Sequence, residues 1–183
     1  MGAIGPLSVH MLQHLVLMNV VVPLLVFCAL PYRPARIADS WAYATAAQLA
    51  LLWGWHAPPV LDAAMASPML MVAMYVSLVA AAGWFWLSIA AMPATARWRS
   101  IFALLITGKL FCLLGALLVF SPRLLFGPMD QHSHAMGAGG ALADQQMAGL
   151  VMLVACPLTY VLAGVWITAR WFLALEAQGR ANG

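Results

Sequence analysis

Apolar residues run along this chain in long, nearly unbroken stretches, and polar residues gather in the short gaps between them. A helix that crosses the hydrocarbon core of a bilayer needs about 20 mostly apolar residues. The pattern predicts five such helices, at residues 7–30, 39–55, 68–92, 100–120 and 144–172. Each ends on a clear stop: Pro31, Arg33, Pro34 and Arg36 after the first, His56-Ala57-Pro58-Pro59 after the second, Pro93 after the third, Ser121-Pro122 after the fourth. Pro23 lies inside the first run, where neighbouring helices can absorb the break it makes. The second run is short and ends in an aromatic pair, Trp53 and Trp55, as at a membrane interface. A longer connection rich in Gly, His and Met separates the fourth run from the fifth. The expectation is an all-α integral membrane protein, one transmembrane domain over residues 1–183, with neither an internal repeat nor a second domain.

Composition agrees. Of 183 residues 65% are hydrophobic and 7% charged, and the mean hydropathy is +0.94; soluble domains carry about 25% charged residues. A net charge of +3 gives no reason to expect a nucleic-acid partner, and membrane lipid is the expected surrounding. Cys28, Cys112 and Cys156 are dispersed within apolar runs and read as packing residues, not as a disulfide framework. No basic segment or cleavage site precedes the first run, so no removable signal peptide is expected.

Where the charges sit gives orientation. Arg33 and Arg36, Arg97 and Arg99, and Arg170 and Arg180 fall on one side of a five-span bundle, with Arg123 alone opposite. The positive-inside rule then places the N-terminus outside and the C-terminus in the cytoplasm. In that arrangement all five histidines, His10, His14, His56, His132 and His134, lie at or just below the outer face, as do Asp62, Asp130 and Asp144.

These residues carry the candidate chemistry. His10 and His14 are one helical turn apart, about 6 Å along the axis, on a stripe that continues to Met18 with Met11 beside it. His10 and Met18, about 12 Å apart, cannot share one ion. Imidazole with thioether is a donor set for copper, whereas carboxylates favour harder ions; the bland alternative is polar glue between helices. His56 can equally cap a helix end. His132-Ser133-His134, flanked by Met129 and Met136 and followed by Gly137, Gly139 and Gly140, reads as a flexible metal-collecting loop or a solvated one. Asp144 reads as the N-cap of the fifth helix, with Met147 one turn further in. Lys109 falls near the bilayer centre, where a lysine costs roughly 2.5–3.5 kcal/mol, with no acidic residue at its depth. Gly108 and Gly115 mark a face for close helix approach. No phosphate loop, nucleophile elbow or Cys-x-x-Cys pair is present, so nothing points to an enzyme.

Three stretches together resemble the multi-spanning CtaG-like family of cytochrome c oxidase assembly factors, distinct from the single-span copper chaperone that shares the name. His10-Met11-Leu12-Gln13-His14 with Met18 and Pro23 is similar to that family's His-Met-x-Gln-His helix; Trp55-His56-Ala57-Pro58 to its Trp-His-x-Pro helix end; and Asp144-Gln145-Gln146-Met147-Ala148-Gly149 to its Asp-Gln-x-x-Gly opening. The resemblance implies His10, His14, His56 and Asp144 as functional positions, with Met11, Met18 and Met147 as candidates. It implies a bacterial inner membrane, copper as the metal handled (as Cu(I), held transiently), and a haem–copper oxidase subunit as partner. Family members usually carry further spans before the first motif, which would make this chain a short form or one completed by a partner. The 129–136 segment has no counterpart in the family pattern. The alternatives are a metal-free scaffold or insertion factor, and a haem site between His14 and His56.

Overall fold

The computed structural model describes residues 5–29, 35–126 and 131–181, with side chains except at 29, 35, 131–138, 178 and 181. Every regular element in it is helical. Four helices are long and apolar enough to cross a membrane: 6–28, 68–90, 94–120 and 139–177.

Helix α1 begins at Pro6–Val16 and continues without interruption through a wide-turn segment, Leu17–Val21, an α-helical turn, Val22–Leu24, and a second wide-turn segment, Leu25–Ala29. Pro23 explains the widening. In the wide register the Val22 amide donates to the Leu17 carbonyl, so the next donor, to the Met18 carbonyl, would be residue 23, which has no N–H. The Trp86 indole supplies it instead, at 3.0 Å. A neighbouring helix thus satisfies the group that the proline leaves open.

Two short helices follow, α2 (Ala35–Asp39) and α3 (Trp41–Trp55), then α4 (Pro58–Ala66) and α5 (Pro68–Ala90). The second expected span is α3, and its 15 residues extend only about 22 Å, short of a hydrocarbon core of about 30 Å. Five helices of the expected order are present, but four meet the length of a span. Helix α6 is Arg97–Phe120, and α7 is Gln131–Ala181, starting well before residue 144. The expected loop is therefore helical from residue 131 onward.

The most extensive packing joins α6 to α7, followed by α1 against α7 and α3 against α5. Gly115 and Gly149 form the α6–α7 crossing. A Cβ on Gly149 would lie 2.7 Å from the Gly115 carbonyl oxygen, and one on Gly115 would lie 3.0 Å from that of Gly149. Only hydrogen atoms fit between these backbones, as the small-residue face anticipates. Nearer the centre, the Tyr160 ring packs against Gly108 and stacks parallel on Trp86 with centroids 5.7 Å apart. The Tyr160 hydroxyl accepts from Gln48 Nε2 at 2.9 Å. Arg97 and Arg170 line a cavity with Phe27, at the opposite end of α1 from His10. These two arginines therefore lie away from the end that carries His10 and His14.

Candidate metal centre

Three histidines from two helices meet at one end of the bundle. His10 and His14 project from the same face of α1, with ring centroids 4.3 Å apart. His56, at the C-terminal cap of α3, brings its ring to 5.3 Å from His14. All three are buried, at 4%, 3% and 3% exposure. Tyr75, from the second turn of α5, closes one side with its ring 5.7 Å from His10 and 5.5 Å from His14. Met11 and Met18 lie buried beneath.

Hydrogen bonds place the ring protons of His10 and His56. The single hydroxyl proton of Tyr75 goes to Gln13 Oε1 at 2.8 Å. The same hydroxyl oxygen is 3.1 Å from His10 Nδ1, so this contact needs Nδ1 to be the donor. The lone pair of His10 then falls on Nε2, a buried atom without a hydrogen-bond partner. His56 repeats the arrangement: Nδ1 donates to the Leu52 carbonyl at 2.7 Å, and Nε2 carries its lone pair to within 3.3 Å of Met11 Sδ. A thioether sulfur has no proton to give, so two acceptors face each other. On His14 neither ring nitrogen has a partner. An unsatisfied buried polar group costs about 1–3 kcal/mol, so the free nitrogens of His10 and His14 are positions where a ligand or a water would be stabilising. An Nδ1 held by an outer hydrogen bond with Nε2 left free is how proteins orient histidines toward metals.

Among the described residues, no group of three or more His, Cys, Asp or Glu side chains stands in metal-holding geometry. The rings meet edge to face, so ligation by all three would need side-chain rotation. The 3.3 Å between His56 Nε2 and Met11 Sδ is already less than the sum of two metal–ligand bonds, about 2.0 and 2.3 Å at zinc, and one ion can touch both. Edge contact between His14 and His56 leaves no slot for a haem between them.

Asp144 has a different role from the one its position suggests. It lies within α7 and cannot be that helix's N-cap. Its carboxylate instead accepts from the first amides of α1, Leu7 N at 2.9 Å and Ser8 N at 3.2 Å, and from the Ser8 hydroxyl at 2.5 Å. Gly5 makes room for it, since any Cβ there would overlap the carboxylate. A negative charge at a helix N-terminus offsets the helix dipole. This one anchors α1 two residues before His10. Gln145 latches the neighbouring turn, accepting from Leu125 N at 2.8 Å and donating to the Arg123 carbonyl at 3.2 Å.

The remaining sequence candidates divide. Met18 lines a small void of about 10 Å³ with Met11, His14 and Met152, the size of one water molecule. Met147 is half exposed, because the buried stripe of α7 runs through Ala148, Met152 and Cys156 at four-residue spacing; it is not part of the cluster. Met129 and Asp130 lie outside the described residues, and so do the side chains of His132 and His134, whose backbone is helical. Tyr75 is the residue that sequence reasoning missed. Its position in a predicted span, Met71-Val72-Ala73-Met74-Tyr75, was the available signal, because a buried tyrosine hydroxyl needs a partner. On its far side is an open apolar groove of about 610 Å³ between α1 and α5, lined by Val9, Gln13, Met71 and Tyr75 itself.

No curated protein and no solved structure matches the chain. The family model for the cytochrome c oxidase caa3 assembly factor (Caa3_CtaG) matches residues 5–174, which span the histidine cluster, the Asp144 anchor, the first three long helices and most of the fourth. The chain belongs to the cytochrome c oxidase caa3 assembly factor family.

Proposed function

We propose that this assembly factor takes up Cu(I) at the His10–His14–His56–Met11 cluster and passes it to a haem–copper oxidase subunit during maturation. The observation that carries this reading is the set of buried imidazole nitrogens without a proton partner, one of them aimed at a thioether. Soft sulfur and borderline nitrogen together suit Cu(I). His10, His14 and His56 would supply nitrogen, and Met11 sulfur. Met18, one turn deeper, extends the soft surface without reaching His10. Tyr75 and Leu52 hold the outer nitrogens, and Asp144 holds the helix that carries two of the three histidines.

A groove open at the bundle surface lies on the other side of Tyr75 from the cluster. Uptake by all three histidines would need rotation of their side chains, because the resting rings meet edge to face. By the arginine distribution, this end of the bundle faces the outside of a bacterial inner membrane. His132 and His134, at the start of α7, would collect the ion before the cluster receives it.

In cells, His14→Ala chains should accumulate in the membrane while the oxidase matures with less copper. Oxidase with full copper content beside that variant would refute the assignment. A second reading, a metal-free scaffold, is favoured by the lack of three convergent His, Cys, Asp or Glu ligands among the described residues. It predicts that His14→Ala and His14→Gln are equally harmless to copper content and act, if at all, through protein level.

A further inference from the structure

Neither the fold nor the copper reading uses Lys109. It lies on α6 about 17 Å from either end of that helix, at 1.5 Å per residue, and so at the middle of a hydrocarbon core of about 30 Å. Its side chain is exposed on the lipid-facing stripe, in line with Phe102, Leu105, Ile106, Leu113 and Leu117, all of them apolar and exposed. Snorkelling relieves lysines near helix ends; Lys109 is as far from both as the helix allows. Nor does this chain's acidic complement answer it among the described residues. Asp144 is committed to the start of α1, Glu176 pairs with Arg180 on the tail, Asp39 ends the short helix α2, and Asp62 lies on the short helix α4.

Beside Lys109 the surface opens. An apolar groove of about 430 Å³ runs between α6 and α7, lined by Leu105, one turn from the lysine, and by Val161, Gly164, Val165 and Thr168. A Cβ on Gly164 would meet nothing within 4 Å, so the groove is open at that position. Small residues with a hydroxyl nearby are what transmembrane helices use to approach one another closely.

We infer that this face docks a transmembrane helix of another protein that carries a carboxylate at mid-membrane depth. The groove would receive the helix body, and Lys109 would pair with the acid. Charge selects the occupant. A second copy of this chain joined through the same face by a two-fold axis would set one ammonium against another, in lipid. A helix without an acid would leave the lysine as costly as before. The inference does not rest on copper binding.

The test uses the full-length protein in phosphatidylcholine vesicles, fluorescently labelled, with a labelled synthetic polyleucine transmembrane helix that carries one central glutamate. Energy transfer reports association. The glutamate helix should bind at least about tenfold more tightly than the same helix with leucine at that position. Lys109→Met, which removes charge and keeps bulk, should abolish the preference, and Lys109→Arg should retain it. Gly164→Leu should block binding with Lys109 intact, since the groove has room for the new side chain only when no helix is in it. Equal binding of both helices would overturn the proposal, as would a preference that survives Lys109→Met or undiminished binding by Gly164→Leu. Energy transfer between two copies of the protein that depends on Lys109 would assign the face to self-association instead.

Discussion

Replacing Asp144 tests how α1, and with it the histidine pair, is held. In Asp144→Ala the Leu7 and Ser8 amides lose their acceptor in a buried setting, while the Ser8 hydroxyl keeps the residue-144 carbonyl, 3.0 Å away. At about 1–3 kcal/mol for each orphaned donor, the loss is about 2–6 kcal/mol. Asp144→Asn keeps an acceptor for one amide, turns an NH2 toward the other, and gives up a charge–dipole interaction of about 0.3–1 kcal/mol, so about 1–4 kcal/mol is expected. Gly5 sharpens the test. An added methyl there would overlap the carboxylate, so Gly5→Ala should cost about 1–3 kcal/mol by overpacking. In the Asp144→Ala background the methyl enters vacated space, and most of that cost should disappear. Reversible unfolding by SDS titration in mixed micelles, run as a double-mutant cycle, measures the coupling, expected at about 1–3 kcal/mol in favour of the double variant. Additive costs, within about 0.5 kcal/mol, would refute the anchor.

Other outcomes follow from the same geometry. Tyr75→Phe removes the group that orients His10 and should weaken Cu(I) affinity about 10–100-fold in a competition titration with a chromogenic chelator; unchanged affinity would dissociate Tyr75 from the site. Met11→Leu should abolish the sulfur contribution in the X-ray absorption of copper-loaded protein; an unchanged sulfur signal would move that ligand elsewhere. Trp86→Phe strands the Met18 carbonyl beside Pro23 and should cost about 1–3 kcal/mol in the same SDS titration, whereas no loss would show that the wide turn satisfies itself. Gly149→Ala should separate α6 from α7 at a cost of about 1–3 kcal/mol, partly recovered by no substitution at Gly108, which lies away from the crossing.

Much of this architecture is legible in the residues alone. The runs at 68–92 and 100–120 correspond to α5 and α6 because a lipid-facing helix must be apolar almost throughout, and prolines mark their ends. The His10–His14 stripe was readable from four-residue spacing. What the spacing could not give is what lies across from the stripe: His56 and Tyr75 come from other helices, and neither announces its partner. Asp144 shows a further limit. An acidic residue beside an apolar run signals a helix N-terminus, but the signal does not say whose, and here it is that of α1. The early start of α7 was hidden because Gly137, Gly139 and Gly140 lower helix preference and read as a loop. Residues 39–55 fell short as a span because apolar composition, not length, set the expectation.

The central claim is that the buried imidazoles and Met11 form a copper site, and copper content tests it most directly. Detergent-purified protein would be loaded anaerobically with Cu(I), desalted and analysed for metal, beside His10→Ala/His14→Ala and His56→Ala of matched folding. The account predicts about one copper per chain in the unmodified protein, lost in the double variant and diminished in His56→Ala. Unmodified protein that retains no copper, or variants that retain as much, would contradict it and leave the cluster as packing that holds three helix ends together.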